Sequence, residues 1–154
     1  MIDQPHVTRL EASPTAVIRL KIPRAEMRQA IGPAIEELMT TLARQGIAPA
    51  GPVFAHHFAM DPQTFDFEVG VPVGRPVEPT GRVAAGVRPA AKVARTIYHG
   101  PYEGLPQAWG EFHAWIEQNG YAYAPDIWEC YVRGPDSDAD PAAWQTELNR
   151  PLTA

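Results

Sequence analysis

The sequence carries the same pattern of apolar residues twice, about 74 positions apart, and this repeat limits the possible folds more than any other feature. The stretches 26–45 and 104–119 each place apolar residues at three- and four-residue spacing, which is typical of a helix with one buried stripe. A glycine follows each stretch, Gly46 in one case and Gly120 in the other, and predicts the helix end. The sequence therefore predicts two equivalent helices.

Predicted strands flank both helices in the same order. The aligned pairs are 17–20 with 93–96, 53–57 with 127–131, and 67–73 with 146–152. We infer one domain, 1–154, that contains an internal repeat with halves of about 1–76 and 84–154. The segment Gly74–Gly86, rich in Pro and Gly, is predicted to be the hinge between the halves.

A strand-helix-strand-strand module has one sheet face and one helix stripe to bury. Two such modules in tandem predict an α+β fold with pseudo-twofold symmetry. We expect one curved sheet with two helices on one face, and a central groove of the kind that holds small ligands.

Charge and composition argue against several classes of partner. The formal net charge is −5, and Lys and Arg are scattered, which does not support direct nucleic acid binding. No apolar stretch approaches the roughly 20 residues of a membrane span, and no secretory signal precedes the first strand. The single cysteine, Cys130, favours a reducing compartment, so we expect a cytoplasmic protein without membrane contact.

The stretch 127–131, IWECY, places a carboxylate inside an otherwise apolar strand. Side chains alternate along a strand, so Glu129 and Tyr131 share one face while Cys130 lies on the other. Burying an ionised carboxylate without a partner is costly. Glu129 therefore faces either a ligand or a neighbouring Arg or Lys of the sheet.

The stretch 98–121, YHGPYEGLPQAWGEFHAWIEQNGY, is followed by IWECY and then by TELNRP at 146–151. This order of motifs resembles the GyrI-like small-molecule-binding family, which includes effector-binding domains of multidrug-responsive transcription regulators. The resemblance implies a groove in which Glu129 meets aromatic and cationic ligands. Some stand-alone members resemble hydrolases of strained cyclopropanoid genotoxins, and the absence of an upstream helix-turn-helix favours a stand-alone protein.

Two functions follow from this interpretation. The first is binding of small aromatic molecules, cationic or amphipathic, in the central groove. The alternative is a hydrolase that opens strained electrophiles in the same groove, with Glu129 and Tyr131 as its catalytic residues. Neither function calls for a cofactor, and a regulatory protein partner stays open.

The predicted ligand-binding residues share an aromatic ring or a titratable group near the motif: Glu129, Tyr131, His57, Tyr98, Tyr102, Trp109 and Phe112. His57 is included because it aligns with Tyr131 in the repeat. Each aromatic residue has a packing alternative, since helix stripes usually form core. Adjacent His56 and His57 point to opposite faces of a strand, and we predict no metal site.

Overall fold

The computed structural model describes residues 1–60, 63–135 and 138–153, which form two compact units. The C-unit comprises Met1–Leu10 and Ala91–Ala154, and the N-unit comprises Glu11–Ala90. Each unit contains four antiparallel strands and one α-helix. The α+β class predicted from the sequence is confirmed.

The helices are α1 (Met27–Arg44) and α2 (Leu105–Gln118), within a residue of their predicted bounds. The strands are β1 (His6–Leu10), β2 (Ser13–Pro23), β3 (Phe54–Met60), β4 (Thr64–Pro72), β5 (Ala84–Arg88), β6 (Ala91–His99), β7 (Ile127–Arg133) and β8 (Gln145–Pro151). The order strand, helix, strand, strand recurs as β2-α1-β3-β4 and β6-α2-β7-β8, which confirms the tandem modules. No helix among the described residues is long and apolar enough to cross a membrane.

The N-unit sheet has the strand order β3-β4-β2-β5, and α1 packs on β2 and β4. The predicted stripe of α1 supplies Leu38 and Leu42, which are fully buried, and they join Ile18, Phe67 and Val69 of the sheet. Burial of a Leu or Phe side chain stabilises a fold by roughly 1.5–3 kcal/mol. Apolar periodicity therefore identified the face of α1 that holds this unit together.

The C-unit sheet has the order β1-β6-β8-β7 and is covered by α2. The core residues of this unit are Ala94, Tyr98, Ala108, Phe112, Ile116 and Leu148. Three of them lie four residues apart on α2, so they form one helix face. Burial of this face fixes how α2 is rotated about its axis, and this rotation determines where the side chains beside the face point.

Strand register confirms that β3 and β7 are equivalent positions of the repeat. Ala55 pairs with Val69 on β4, and Glu129 pairs with Leu148 on β8. Both strands also shift register near their C-terminal ends, between His57 and Ala59 in β3 and between Tyr131 and Arg133 in β7. An equivalent bulge in both halves is consistent with duplication, since bulges are retained within families.

The alignment of 17–20 with 93–96 is wrong by two residues. Ile18 pairs with Val69, and Thr96 pairs with Leu148, so 17–20 corresponds to 95–98. A shift of two keeps every side chain on the same face of the sheet. Apolar alternation therefore could not detect the error, whereas a shift of one would have reversed the pattern.

Sequence analysis missed two short strands, β1 and β5. Strand β5 (84–88) lies partly inside the segment Gly74–Gly86, which was predicted to be a hinge. Each of these strands pairs with a strand of the other half of the repeat. Strand β1 of the first half pairs with β6 of the second, and β5 of the second half pairs with β2 of the first. Each compact unit therefore contains a strand contributed by the other half of the sequence.

Candidate functional site

The carboxylate of Glu129 is the best-defined candidate for function, and it lies at the centre of β7 in the C-unit. Glu129 is only 9% exposed. Its Oε2 accepts a hydrogen bond of 2.7 Å from the indole Nε1 of Trp109, and its Oε1 accepts one of 2.9 Å from the hydroxyl of Tyr131. A buried carboxylate is thus held by two neutral donors, one from α2 and one from its own strand.

The local sequence explains why these three side chains meet. Glu129 and Tyr131 are two residues apart on a strand and so share a face. Trp109 lies one residue beyond the core residue Ala108, so its indole reaches over the edge of the α2 stripe toward that face. The prediction that Glu129 and Tyr131 share a face agrees with this geometry, and Trp109, one of the predicted ligand-binding residues, contacts Glu129.

No cationic side chain neutralises Glu129 within the part of the chain that the structure describes. Its hydrogen bonds there come from Trp109 and Tyr131, and none of the ion pairs includes it. The alternative in which an Arg or Lys of the sheet caps this carboxylate therefore finds no support. Arg95 of β6, which lies beyond β8 in the sheet, pairs instead with Glu147, with 3.3 Å between Nη2 and Oε1.

Burial has the largest effect on the pKa values of Glu129 and Tyr131. Desolvation raises the pKa of Glu129 above its ordinary value of 4.5, and the hydrogen bonds from Trp109 and Tyr131 oppose that rise only in part. Burial and the adjacent carboxylate raise the pKa of Tyr131 well above 10. Tyr131 therefore stays protonated and acts as a hydrogen-bond donor at neutral pH.

Two further aromatic rings, those of Tyr102 and Trp144, extend the contacts of Tyr131. The ring of Tyr102 lies edge-on to that of Tyr131, with 5.9 Å between centroids, and it also contacts the ring of Trp144 at 5.0 Å. The segment 134–144, which contains Trp144, is rich in turn residues, and this composition predicts a solvated loop. Trp144 is half-buried instead, and an isolated aromatic residue among turn residues was the signal that could have revealed it.

Two predicted ligand-binding residues of the C-unit lie in its core. Phe112 is fully buried, and its ring lies 5.7 Å from that of Trp109. Tyr98 is 5% exposed and donates its hydroxyl to the carbonyl of Pro101 at 2.8 Å. A side chain at Gly104 would collide with that hydroxyl. Ligand contact by Tyr98 and Phe112 stays a prediction, and their geometry favours packing.

His57 belongs to the N-unit, where it lies on β3. It is 4% exposed, its ring stacks on Phe67 at 5.1 Å, and it meets the edge of Phe65 at 5.3 Å. Burial lowers the pKa of His57 to about 4, and the neighbouring cationic groups contribute, so the ring is neutral at pH 7. Its Nδ1 has no hydrogen-bond partner among the described residues. A ligand role for His57 stays a prediction.

A buried carboxylate held by neutral donors, next to a series of aromatic rings, characterises a small-molecule-binding domain rather than a metal site. No group of three His, Cys, Asp or Glu side chains in residues 1–60, 63–135 and 138–153 could hold a metal ion. The sequence matches the GyrI-like small molecule binding domain over residues 3–152. The chain belongs to this family, and the expected resemblance is confirmed.

Solved structures share the fold at low sequence identity. The regulator EcmrR in its DNA complex matches with a TM-score of 0.86 and 24% identity, over 97% of this chain and 57% of that one. This chain therefore spans little more than half of EcmrR and corresponds to its C-terminal domain, of which it covers 97%.

Two further structures extend the comparison. SAV2435 bound to tetraphenylphosphonium matches with a TM-score of 0.67 and 12% identity, over 99% of this chain and 95% of that one. A hydrolase from Listeria innocua matches with a TM-score of 0.68 and 14% identity, over 97% and 92%. Among curated proteins, none matches the sequence significantly.

Proposed function

We propose that the C-unit binds small aromatic cations at Glu129. The observation that carries this proposal is a buried carboxylate whose partners, Trp109 and Tyr131, are both neutral. Taking such a charge out of water costs several kcal/mol unless an opposite charge is present. A ligand cation supplies that charge, and the raised pKa of Glu129 shows how poorly the neutral donors replace it.

The aromatic rings add selectivity to this electrostatic contact. Tyr131 and Tyr102 offer ring surface next to the carboxylate. A desolvated cation over an aromatic face gains roughly 0.5–2 kcal/mol. The site therefore favours cations that are aromatic or amphipathic over small, strongly hydrated ones. The tetraphenylphosphonium in SAV2435, which has the same fold, is a ligand of this class.

Two ions of nearly the same shape and opposite charge test the proposal. We expect tetraphenylphosphonium to bind the purified protein and tetraphenylborate to bind at least tenfold more weakly, because one completes the pair with Glu129 and the other meets a like charge. Isothermal titration calorimetry in the same buffer measures both affinities. Equal binding of the two ions would show that apolar area alone drives association.

A hydrolase is the second candidate, and the contact between Tyr131 and Glu129 supports it. The 2.9 Å hydrogen bond leaves each carboxylate oxygen with a further acceptor position. In a cyclopropane-fused dienone, Glu129 would take a proton from water as the water oxygen bonds to a ring carbon. The breaking carbon–carbon bond would deliver its electron pair to the dienone, whose oxygen Tyr131 would polarise once its single O–H turns from Glu129 Oε1 to that oxygen. The fold is shared with a hydrolase from Listeria innocua.

Turnover of such a dienone distinguishes the two candidates. If the hydrolase is correct, Glu129→Gln should slow product formation by about 100-fold or more, as is typical when a general base is removed. Tyr131→Phe should slow it less, because the carboxylate and the water remain. Product is followed by mass spectrometry against a boiled-protein control, since these compounds also open spontaneously. A wild-type rate equal to that control leaves ligand binding as the function.

A further inference from the structure

Trp144 and Tyr102 form a second aromatic contact beyond Tyr131, and the predicted ligand set did not include Trp144. The centroids are 5.0 Å apart with the ring planes inclined by 38°, and Tyr102 bridges to Tyr131 at 5.9 Å. Two successive ring contacts therefore continue the aromatic surface from the ring that touches the carboxylate to the indole of Trp144. All three of these residues are half-buried, so part of their surface is accessible.

The fold holds Trp144 in a defined position. Its indole Nε1 donates to the carbonyl of Asp138 at 2.9 Å, and its own carbonyl accepts from the backbone N–H of Gly100 at 3.0 Å. The Asp140 carboxylate caps the short turn before it by accepting from the backbone N–H of Ala142 at 3.0 Å. The polar atoms of Trp144 are thereby occupied, and its ring is left for apolar contact.

The position of Tyr102 depends on a glycine at the end of β7. A Cβ atom at Gly134 would lie 2.6 Å from the hydroxyl oxygen of Tyr102. Real Cβ contacts are not that short, so any other residue at 134 would displace the ring. The Tyr102 ring thus occupies space that the absent side chain of Gly134 leaves open, beside both Tyr131 and Trp144.

We propose that Tyr102 and Trp144 form an outer subsite that selects elongated amphipathic cations. The cationic end of such a ligand pairs with Glu129, and a second aromatic group, farther along the ligand, lies against Trp144. This inference rests on the proposed cation site and adds the length of the ligand to it. Short cations contact the carboxylate and the ring surface beside it, whereas long ones also reach Trp144.

Two ligands with the same trimethylammonium head test the outer subsite. One carries a single benzyl ring, and the other carries a biphenylmethyl group. We expect the biphenyl ligand to bind the wild-type protein more tightly. Trp144→Ala should weaken the biphenyl ligand about 3- to 10-fold, as expected for loss of one aromatic contact, and leave the benzyl ligand unchanged. Trp144→Phe should restore most of the difference.

Gly134→Ala provides an independent variant that acts through Tyr102 and leaves Trp144 in place. It should also reduce the advantage of the biphenyl ligand. The matched control is Trp115→Ala, which removes another half-buried indole, one that contacts Tyr121 at 5.9 Å. This control should change neither affinity, and thermal melting verifies that each variant is folded.

The possible outcomes separate the two proposals. Failure of both ligands to bind the wild-type protein overturns the cation site and the outer subsite together. Equal affinity of the two ligands, with no effect of Trp144→Ala or Gly134→Ala on either, overturns the outer subsite alone. Equal weakening of both ligands by Trp144→Ala assigns Trp144 a structural role and overturns the subsite as well.

Discussion

Glu129→Gln is expected to weaken the binding of tetraphenylphosphonium by roughly tenfold to a hundredfold, because one charge-assisted contact is worth about 1.5–3 kcal/mol. Glutamine fits the local hydrogen bonds. Its amide oxygen can accept from the Trp109 indole, which only donates, and its amide nitrogen can donate to the hydroxyl of Tyr131, which can also accept. The variant therefore removes the charge while the fold is retained.

The matched control is Glu147→Gln, which removes a carboxylate from the opposite face of the same sheet. Glu147 pairs with Cys130 in the strand register, and its side chain contacts Arg95 and Asn149. This control should leave the affinity within about twofold of the wild type, because Glu147 lies on the opposite face from Glu129 and its charge is already paired with Arg95. Equal losses in both variants would indicate a general effect of net charge.

Glu129→Gln also tests how cation affinity depends on pH, and the raised pKa of Glu129 fixes the direction of that dependence. Burial raises the pKa of Glu129 above 4.5, so the carboxyl group becomes protonated at a higher pH than an exposed one does. Cation affinity should therefore fall as the pH is lowered through that raised value, and Glu129→Gln should abolish this dependence. His57, with a pKa of about 4, protonates in a lower range. Unchanged affinity and an unchanged pH profile in the glutamine variant would rule out Glu129 as the cation's partner.

Cutting the chain between Thr80 and Gly81 is expected to give two fragments that fold only when mixed. Fragment 1–80 lacks β5, which pairs with β2, and fragment 81–154 lacks β1, which pairs with β6. Domains are stable by only about 5–15 kcal/mol, so loss of a whole strand pairing removes a large share of that stability. Each fragment alone should give the far-UV circular dichroism of a largely unfolded chain, and the equimolar mixture should recover the intact spectrum.

The control fragment carries Val7→Pro and Thr8→Pro in β1. Alternate residues of an antiparallel pair donate to the neighbouring strand, so two adjacent prolines remove at least one hydrogen bond between β1 and β6. This version of 1–80 should recover less structure on mixing. Native-like spectra from either fragment alone would contradict an obligatory exchange of β1 and β5.

The sequence predicted what depends on periodicity. The two helices, the strand-helix-strand-strand order of each module and the shared face of Glu129 and Tyr131 all follow from spacings of two or of three to four residues. Periodicity gave no information on strands β1 and β5, because they are only five residues long and their neighbours are turn residues. Periodicity also could not fix the alignment of β2 with β6 in the repeat, since a shift of two residues preserves the apolar pattern.

The position of Trp144 depended on contacts that no local pattern contains. Its indole is held by the carbonyl of Asp138 and its backbone by Gly100, which lies more than forty residues away in the sequence. Tyr102 in turn fits because position 134 is a glycine. Such long-range complementarity is a property of the folded chain, so the outer rings of the candidate site appear only in three dimensions.

Ala55 occupies the position on β3 that Glu129 occupies on β7, and its side chain is fully buried. The repeat therefore has two equivalent strand positions, and only the one in the C-unit carries an acid. The methyl group of Ala55 needs no counter-charge, so the N-unit is free of the energetic conflict that the carboxylate creates. A single difference at one repeated position thus makes the two halves of the domain chemically unequal, while the strand pairing around that position stays the same.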